Sequence, residues 1–526
     1  MTTDRLSTPT ADAGADPPVP ADRATHAGDA PEATGDPGTP RAAGRLPRAA
    51  VLWSYVLTIG RFGTTAAVTV IMARFLSPHE YGVMALAMVW VTFGQTLAMH
   101  GPGQAVVQRE DVDDSHFDAA FWSTLGTGAA LAAVFAVGAP LWAALNDTPD
   151  LVPVSLVLAP VMILNAMVVV PDAILRRQLR FRSLSVRWLV AGLVSGVVGV
   201  LGAVLGWGVW ALVAQQVVMS VISAVGVWIA VRWRPGFRRI GPALRELRKY
   251  SLHSLSGFFA SFVAVRTDAV LLGPIFGPVA IGLYRFVTRI AEMVNDIATG
   301  GLAQVAMPHL SREAASQAEF TRSAIRYFHI GTLVAFPLFG VMFATGPLFL
   351  RWIGPQWVAA GPAFRVICVA MAAVALGPII SAIYQAAGRP AMLAAISWGS
   401  AGFTVVSMLI AGRLFHDSGP GTQVLAIAST FAIVQWTGTL IALMLMSAQV
   451  VKGSLRGIVR TSLPAVGAAI GAAVAGLAVQ PLLHELNSFL ALAATGIVAG
   501  AVALAVLAAR EREVSSRLGR LVRLGR

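Results

Sequence analysis

Between Ala50 and residue 508 the chain runs in long apolar stretches, interrupted by short breaks that hold most of its basic residues. A helix needs about 20 apolar residues to cross a hydrocarbon core of roughly 30 Å, and fourteen stretches qualify. They lie at about 50–74, 81–100, 117–145, 151–173, 185–206, 208–231, 251–273, 280–306, 323–346, 360–386, 391–412, 422–449, 458–480 and 486–508. The fifth and sixth are parted only by Gly206 and Trp207, and the tenth contains Arg365 and Pro378.

The pattern predicts an all-α integral membrane protein of about fourteen transmembrane helices. Residues 50–231 and 251–449 form two parallel lobes of six helices around a central cavity, and 458–508 adds two C-terminal helices. A basic cytoplasmic linker, 232–250, joins the lobes, and 510–526 is a basic cytoplasmic tail. Residues 1–47 are rich in Ala, Pro, Gly, Asp and Thr and have almost no large apolar side chain, which predicts a disordered cytoplasmic tail. No apolar core of 7–15 residues follows the start, so the segment does not read as a signal peptide.

Cytoplasmic loops retain Lys and Arg, which tests the segmentation independently. With the N-terminus inside, 31 of the 39 basic residues fall on cytoplasmic segments, three (Arg74, Arg351, Arg413) on external ends and five within spans. A missed crossing would scramble that alternation. The expected location is the bacterial inner membrane, with many passes and both termini in the cytoplasm.

Composition agrees. The chain is 56% hydrophobic and 12% charged, where soluble domains carry about 25% charged residues, too few charges to hydrate two or three soluble domains. The net charge of +13 does not indicate nucleic acid, because the basic residues sit in short loops and form no continuous face. The single cysteine, Cys368, lies in an apolar run and supports neither a disulfide framework nor a Cys-based zinc site. Neither lysine stands in a Gly-x-x-x-x-Gly-Lys motif, which excludes phosphate-loop hydrolysis within this chain. No catalytic triad, metal-ligand spacing or cofactor loop stands out, so no enzyme activity, metal or cofactor is expected.

An internal repeat is visible. Phe75-Leu-Ser-Pro78-His-Glu-Tyr-Gly82 in the first hairpin has a counterpart in Ile275-Phe-Gly-Pro278-Val-Ala-Ile-Gly282, 200 residues later. Six helices separate the copies, so the repeat preserves orientation, as in transporters built from parallel halves.

Ionisable groups at hydrocarbon depth cost about 2.5–3.5 kcal/mol each on insertion scales and should line water or a partner. In the eighth span, Arg285, Arg289, Glu292 and Asp296 fall within about 60° of one another at 100° per residue. One face of that helix is charged. Arg266 and Asp268 lie in the seventh span, Arg61 in the first and Arg365 in the tenth. The guanidinium fork suits phosphate, making Arg61, Arg266, Arg285, Arg289 and Arg365 candidates for an anionic cargo. Asp268, Glu292 and Asp296 are candidates for ion or proton coupling. The same groups could instead neutralise one another, Arg289 with Glu292 and Asp268 with Arg266 or Arg285. The run from Arg176 to Arg182 could attract anionic head groups or act as a plain topology signal.

Several stretches resemble a known family: Ala73-Arg-Phe-Leu-Ser-Pro-His-Glu-Tyr-Gly82, Gln104-Ala-Val-Val-Gln-Arg-Glu110 and Phe121-Trp122 in the first half. Arg266-Thr-Asp268, Gly277-Pro-Val-Ala-Ile-Gly-Leu-Tyr284, Met307-Pro-His-Leu-Ser-Arg312 and Tyr384-Gln-Ala-Ala-Gly388 follow in the second. Together they are similar to the polysaccharide flippases of the multidrug/oligosaccharidyl-lipid/polysaccharide exporter superfamily, over about residues 50–450. The resemblance implies a two-lobed bundle of twelve to fourteen helices. It also implies export of undecaprenyl-diphosphate-linked oligosaccharide repeats, for O-antigen or exopolysaccharide, by alternating access. Cationic cavity residues would then face the diphosphate-sugar, and only Arg266 and Asp268 sit in a recognisable family stretch. Implied partners are the lipid-linked oligosaccharide, membrane lipids and the polysaccharide polymerase and chain-length machinery. Alternatives are a lipid II-type flippase or cell-wall scaffold, and a multidrug or cation antiporter, whose cavity should be acidic. A membrane-embedded glycosyltransferase would need larger external loops.

Overall fold

The computed structural model describes residues 63–98, 113–178, 180–237 and 240–510, all within one compact unit that begins at Ser54. Every regular element among them is helical. In chain order these are α1 (Gly63–Phe75), α2 (Pro78–Ala98), α3 (Asp114–Leu145), α4 (Leu151–Arg177), α5 (Phe181–Val204) and α6 (Val209–Ala230). Then come α7 (240–276), α8 (278–313), α9 (Gln317–Ile353), α10 (Pro355–Ala386), α11 (Pro390–Phe415), α12 (Pro420–Gln449), α13 (Leu455–Val479) and α14 (Ser488–Arg510). The predicted tails, and Arg61 with them, lie outside the described residues.

Among the described residues eleven continuous helical stretches are long and apolar enough to cross a membrane. Many of their large apolar side chains point outward, among them Val137 (83% exposed), Ile229 (79%) and Ile497 (71%), which water would not tolerate over so much surface. The chain is an all-α, multi-pass membrane protein.

The breaks have local causes. Proline opens α2, α10, α11 and α12 within the first turn, where its missing N–H has no helical partner to lose. Asp113 caps α3 by accepting from the His116 N–H. Gly277 at φ 74° separates α7 from α8, a conformation that carries no penalty without a Cβ. The division of the fifth and sixth spans falls at a turn with Gly206 at φ 77° and Gly208 at φ 57°. The tenth span is jointed between Val374 and Gly377, because Pro378 cannot donate to the turn before it.

α3 packs on α4, α5 on α6 and α4 on α6, α10 and α11 each pack on α12, and α2 packs most heavily on 240–313. α13 and α14 pack on α9 and on each other. The halves meet chiefly where α2 and α3 lie against 240–313. The segment after α6 is held to the first half: Gly236 N–H donates to the buried Asp118 carboxylate at 2.9 Å, its carbonyl accepts from Trp122 Nε1 at 2.8 Å, and Phe237 stacks on Trp122 at 4.6 Å.

Candidate functional site

The two copies of the repeated hairpin motif touch each other. A Cβ on Gly82 would collide with the Pro278 carbonyl, and a Cβ on Gly282 with the Pro78 carbonyl. Each half therefore supplies a proline that presses on the other half's glycine, and the two helices α2 and α8 start from a crossing with no room for side chains.

Aromatic and polar contacts close the same end of the bundle. Trp357 is fully buried, donates from Nε1 to the Ala73 carbonyl at 2.8 Å, and lies 4.1 Å from the Phe286 ring. Tyr81 meets Trp357 and Phe286 edge-on at 5.3 and 5.6 Å. Gln356 Nε2 donates to the same Ala73 carbonyl at 3.1 Å. Arg74 donates to the Trp352 carbonyl at 3.1 Å, and its guanidinium lies 4.6 Å from that residue's ring centre. The end of α1 is thus tied to the link between α9 and α10, and this end is sealed.

Directly beside the seal, between α2 and α8, is a cavity of about 300 Å³. Ala85, Met88, Val89 and Thr92 line it from α2, and Arg285, Thr288, Arg289 and Glu292 from α8. These are the same four positions of the repeat, 200 residues apart. The cavity is built on the pseudo-symmetry of the halves, with a neutral wall and a charged one. Tyr81 and Phe286 close it toward the seal, and Thr69 and Leu212 contribute from α1 and α6.

On the charged wall Arg285 is half-buried and Arg289 exposed. Arg289 Nη1 stands 4.0 Å from Glu292 Oε2, with the side chains 55% and 40% exposed, a loose contact of the kind that adds little stability. Asp296 is exposed one turn further along α8, and the buried Thr288 and Thr299 hydroxyls donate back to their own helix. Arg285, Arg289 and Glu292 are thus brought together on one wall, with Asp296 beyond it on the same helix. Arg365 does not join them: it lies on α10 over the Phe343 ring at 5.8 Å, with its buried Nε unbonded among the described residues. Arg266 and Asp268 lie on α7, and the described side chains do not include them. Arg61 also lies outside the described residues.

Charge alone misses the neutral wall. Ala85, Met88, Val89 and Thr92 carry no ionisable group, but the repeat register points to three of them. Moving the charged stripe back by 200 positions lands on Ala85, Val89 and Thr92.

A family model described as "Polysaccharide biosynthesis protein" matches residues 71–362. The chain is 25% identical over 320 residues to the succinoglycan biosynthesis transport protein ExoT of Rhizobium meliloti, covering 60% of this chain and 64% of that protein. It is 23% identical over 284 residues to the teichuronic acid biosynthesis protein TuaB of Bacillus subtilis, covering 53% and 58%. The matches thus span less than two thirds of either relative. In fold it is similar to the lipid II flippase MurJ, solved in an inward closed conformation, with a TM-score of 0.69 at 14% identity over 88% of this chain and 99% of that one.

Proposed function

This chain belongs to the polysaccharide biosynthesis protein family, and from that premise we propose that it moves undecaprenyl-diphosphate-linked oligosaccharide repeat units from the inner to the outer leaflet of the cytoplasmic membrane. The cargo is an anionic head on a long apolar tail. The head enters the space between the halves while the tail stays in lipid, and rocking of the halves about the passage delivers the head to the other side. No covalent step is needed. The orientation that accompanies this reading places the basic loops and both termini in the cytoplasm, so the sealed end faces outward.

The observation that carries the proposal is the charged wall of α8 beside the seal. Arg285 and Arg289 supply guanidinium groups toward a diphosphate, and the neutral α2 wall at the equivalent positions leaves the cavity more cationic on one side than the other. Glu292 and Asp296 on the same helix are positioned to take up an ion or proton, and Arg61, Arg266 and Asp268 belong to the same proposal by depth in their spans. An antiporter of cations calls for the opposite balance of charge. Succinoglycan and teichuronic acid biosynthesis, named for the two relatives, point to a cell-surface polysaccharide whose assembly continues with a polymerase and chain-length machinery.

The test is deletion of the gene followed by recovery of lipid-linked sugars from each leaflet. An undecaprenyl-diphosphate oligosaccharide should accumulate on the inner leaflet and clear when the gene is restored. Accumulation of lipid II instead would reassign the cargo, and no accumulating intermediate would reject export.

A further inference from the structure

A second cavity, about 550 Å³ and open to one side, lies between α5 and α6 at the end of the bundle where the basic loops are. It is separate from the α2–α8 cavity, sharing none of its lining residues. Its long walls are apolar and lipid-facing, formed by Val186, Val190, Ile222 and Ile229. Arg182 and Arg187 supply its basic groups.

Arg187 is the unusual member. It sits six residues into α5, about 9 Å along the helix at 1.5 Å per residue, and is only 7% exposed. Its Nη2 donates to Asp172 Oδ1 at 2.6 Å, while Nε and Nη1 are buried with no hydrogen-bond partner among the described residues. The other oxygen of Asp172, Oδ2, accepts from Arg176 Nε at 2.6 Å, so its single charge is divided between two guanidinium groups. Arg176 and Arg187 therefore share one carboxylate, which balances only one of their two positive charges, and Arg182 adds a further cation to the lining. Unpaired donors of a buried cation carry a large desolvation penalty, so the site is incomplete without an anion. The groove beside Arg187 exists because Gly226 faces it from α6: a Cβ there would meet Arg187 Cγ at 3.0 Å.

The geometry points to a phospholipid of net negative charge as the occupant, its phosphate between Arg182 and Arg187 and its acyl chains along the apolar walls. Charge complementarity selects the head, and the lipid-facing walls select a lipid over a free anion. This site would take up a resident membrane lipid, apart from the transported cargo.

The experiment uses the full chain purified in detergent, with bound lipid counted by native mass spectrometry after addition of phosphatidylglycerol or phosphatidylcholine. Wild type should retain one phosphatidylglycerol that phosphatidylcholine does not replace. Arg182→Gln, at the exposed mouth, should weaken that binding by about 10-fold, a charged hydrogen bond's worth. Ile222→Trp, which fills the groove and leaves every charge in place, should abolish it. Thermal unfolding with inorganic phosphate at millimolar level should show no protection matching that of phosphatidylglycerol. Equal retention of the two lipids, retention unchanged in both variants, or equal protection by inorganic phosphate would each overturn the assignment.

Discussion

Gly82 of α2 lies against the carbonyl of Pro278 with no space for a methyl group between them. The mirror contact, Gly282 on Pro78, stands beside it. Since backbone cannot yield as a flexible side chain does, Gly82→Ala and Gly282→Ala should each prise the halves apart at the sealed end. A cysteine placed at Ala85, in the cavity below, should become labelled faster by a water-soluble thiol reagent in either variant. The double variant should add little to the single ones, because both act on one interface.

Arg289→Ala should reduce transfer of the lipid-linked sugar by roughly 10- to 100-fold, the equivalent of one charge-assisted hydrogen bond of about 1.5–3 kcal/mol. Arg289→Lys, which keeps the charge and loses the fork, should fall between. The melting temperature should barely move, because the Glu292 contact is 4.0 Å long and exposed. A large drop in melting temperature with transport intact would make the residue structural.

Trp357→Ala should cost about 3–5 kcal/mol of stability, the range for emptying a large aromatic site, since the ring is fully buried against Phe286 and Tyr81 and holds the Ala73 carbonyl. Trp357→Phe should retain most of the packing and lose the hydrogen bond. Thermal unfolding in detergent measures both.

Asp172→Asn should destabilise by about 3–5 kcal/mol, because it leaves the buried Arg187 guanidinium without a counter-charge. Asp172→Asn combined with Arg187→Met should recover most of that loss. If the double variant were no better than the single one, the pair would not be the source of the penalty.

The spans were legible because hydrocarbon thickness fixes their length. Trp207 between Gly206 and Gly208 marks a turn in the sequence and in the structure, and Pro378 marks the joint in α10. The charged stripe of α8 was legible too, since burying a charge is expensive and helical period places its members together. The repeated Pro-x-x-x-Gly was visible only as a pattern. That its copies press on each other is a tertiary fact, set by the packing of two helices 200 residues apart. The neutral wall around Met88 and Thr92 sends no signal of its own, and Arg365 shows the converse, a charge at depth that lies against Phe343 on another helix. Arg187 is held inside by Asp172, fifteen residues earlier on the preceding helix, a pairing that no helical period signals.

The grip of Asp118 and Trp122 on Gly236 decides where bending can begin. The chain leaving α6 is already fastened down through Phe237, so it travels as cargo of the first half and cannot act as slack. In the proposed rocking mechanism the pivot starts after that residue, and a flexible insertion placed earlier would lengthen the tether without loosening the swing.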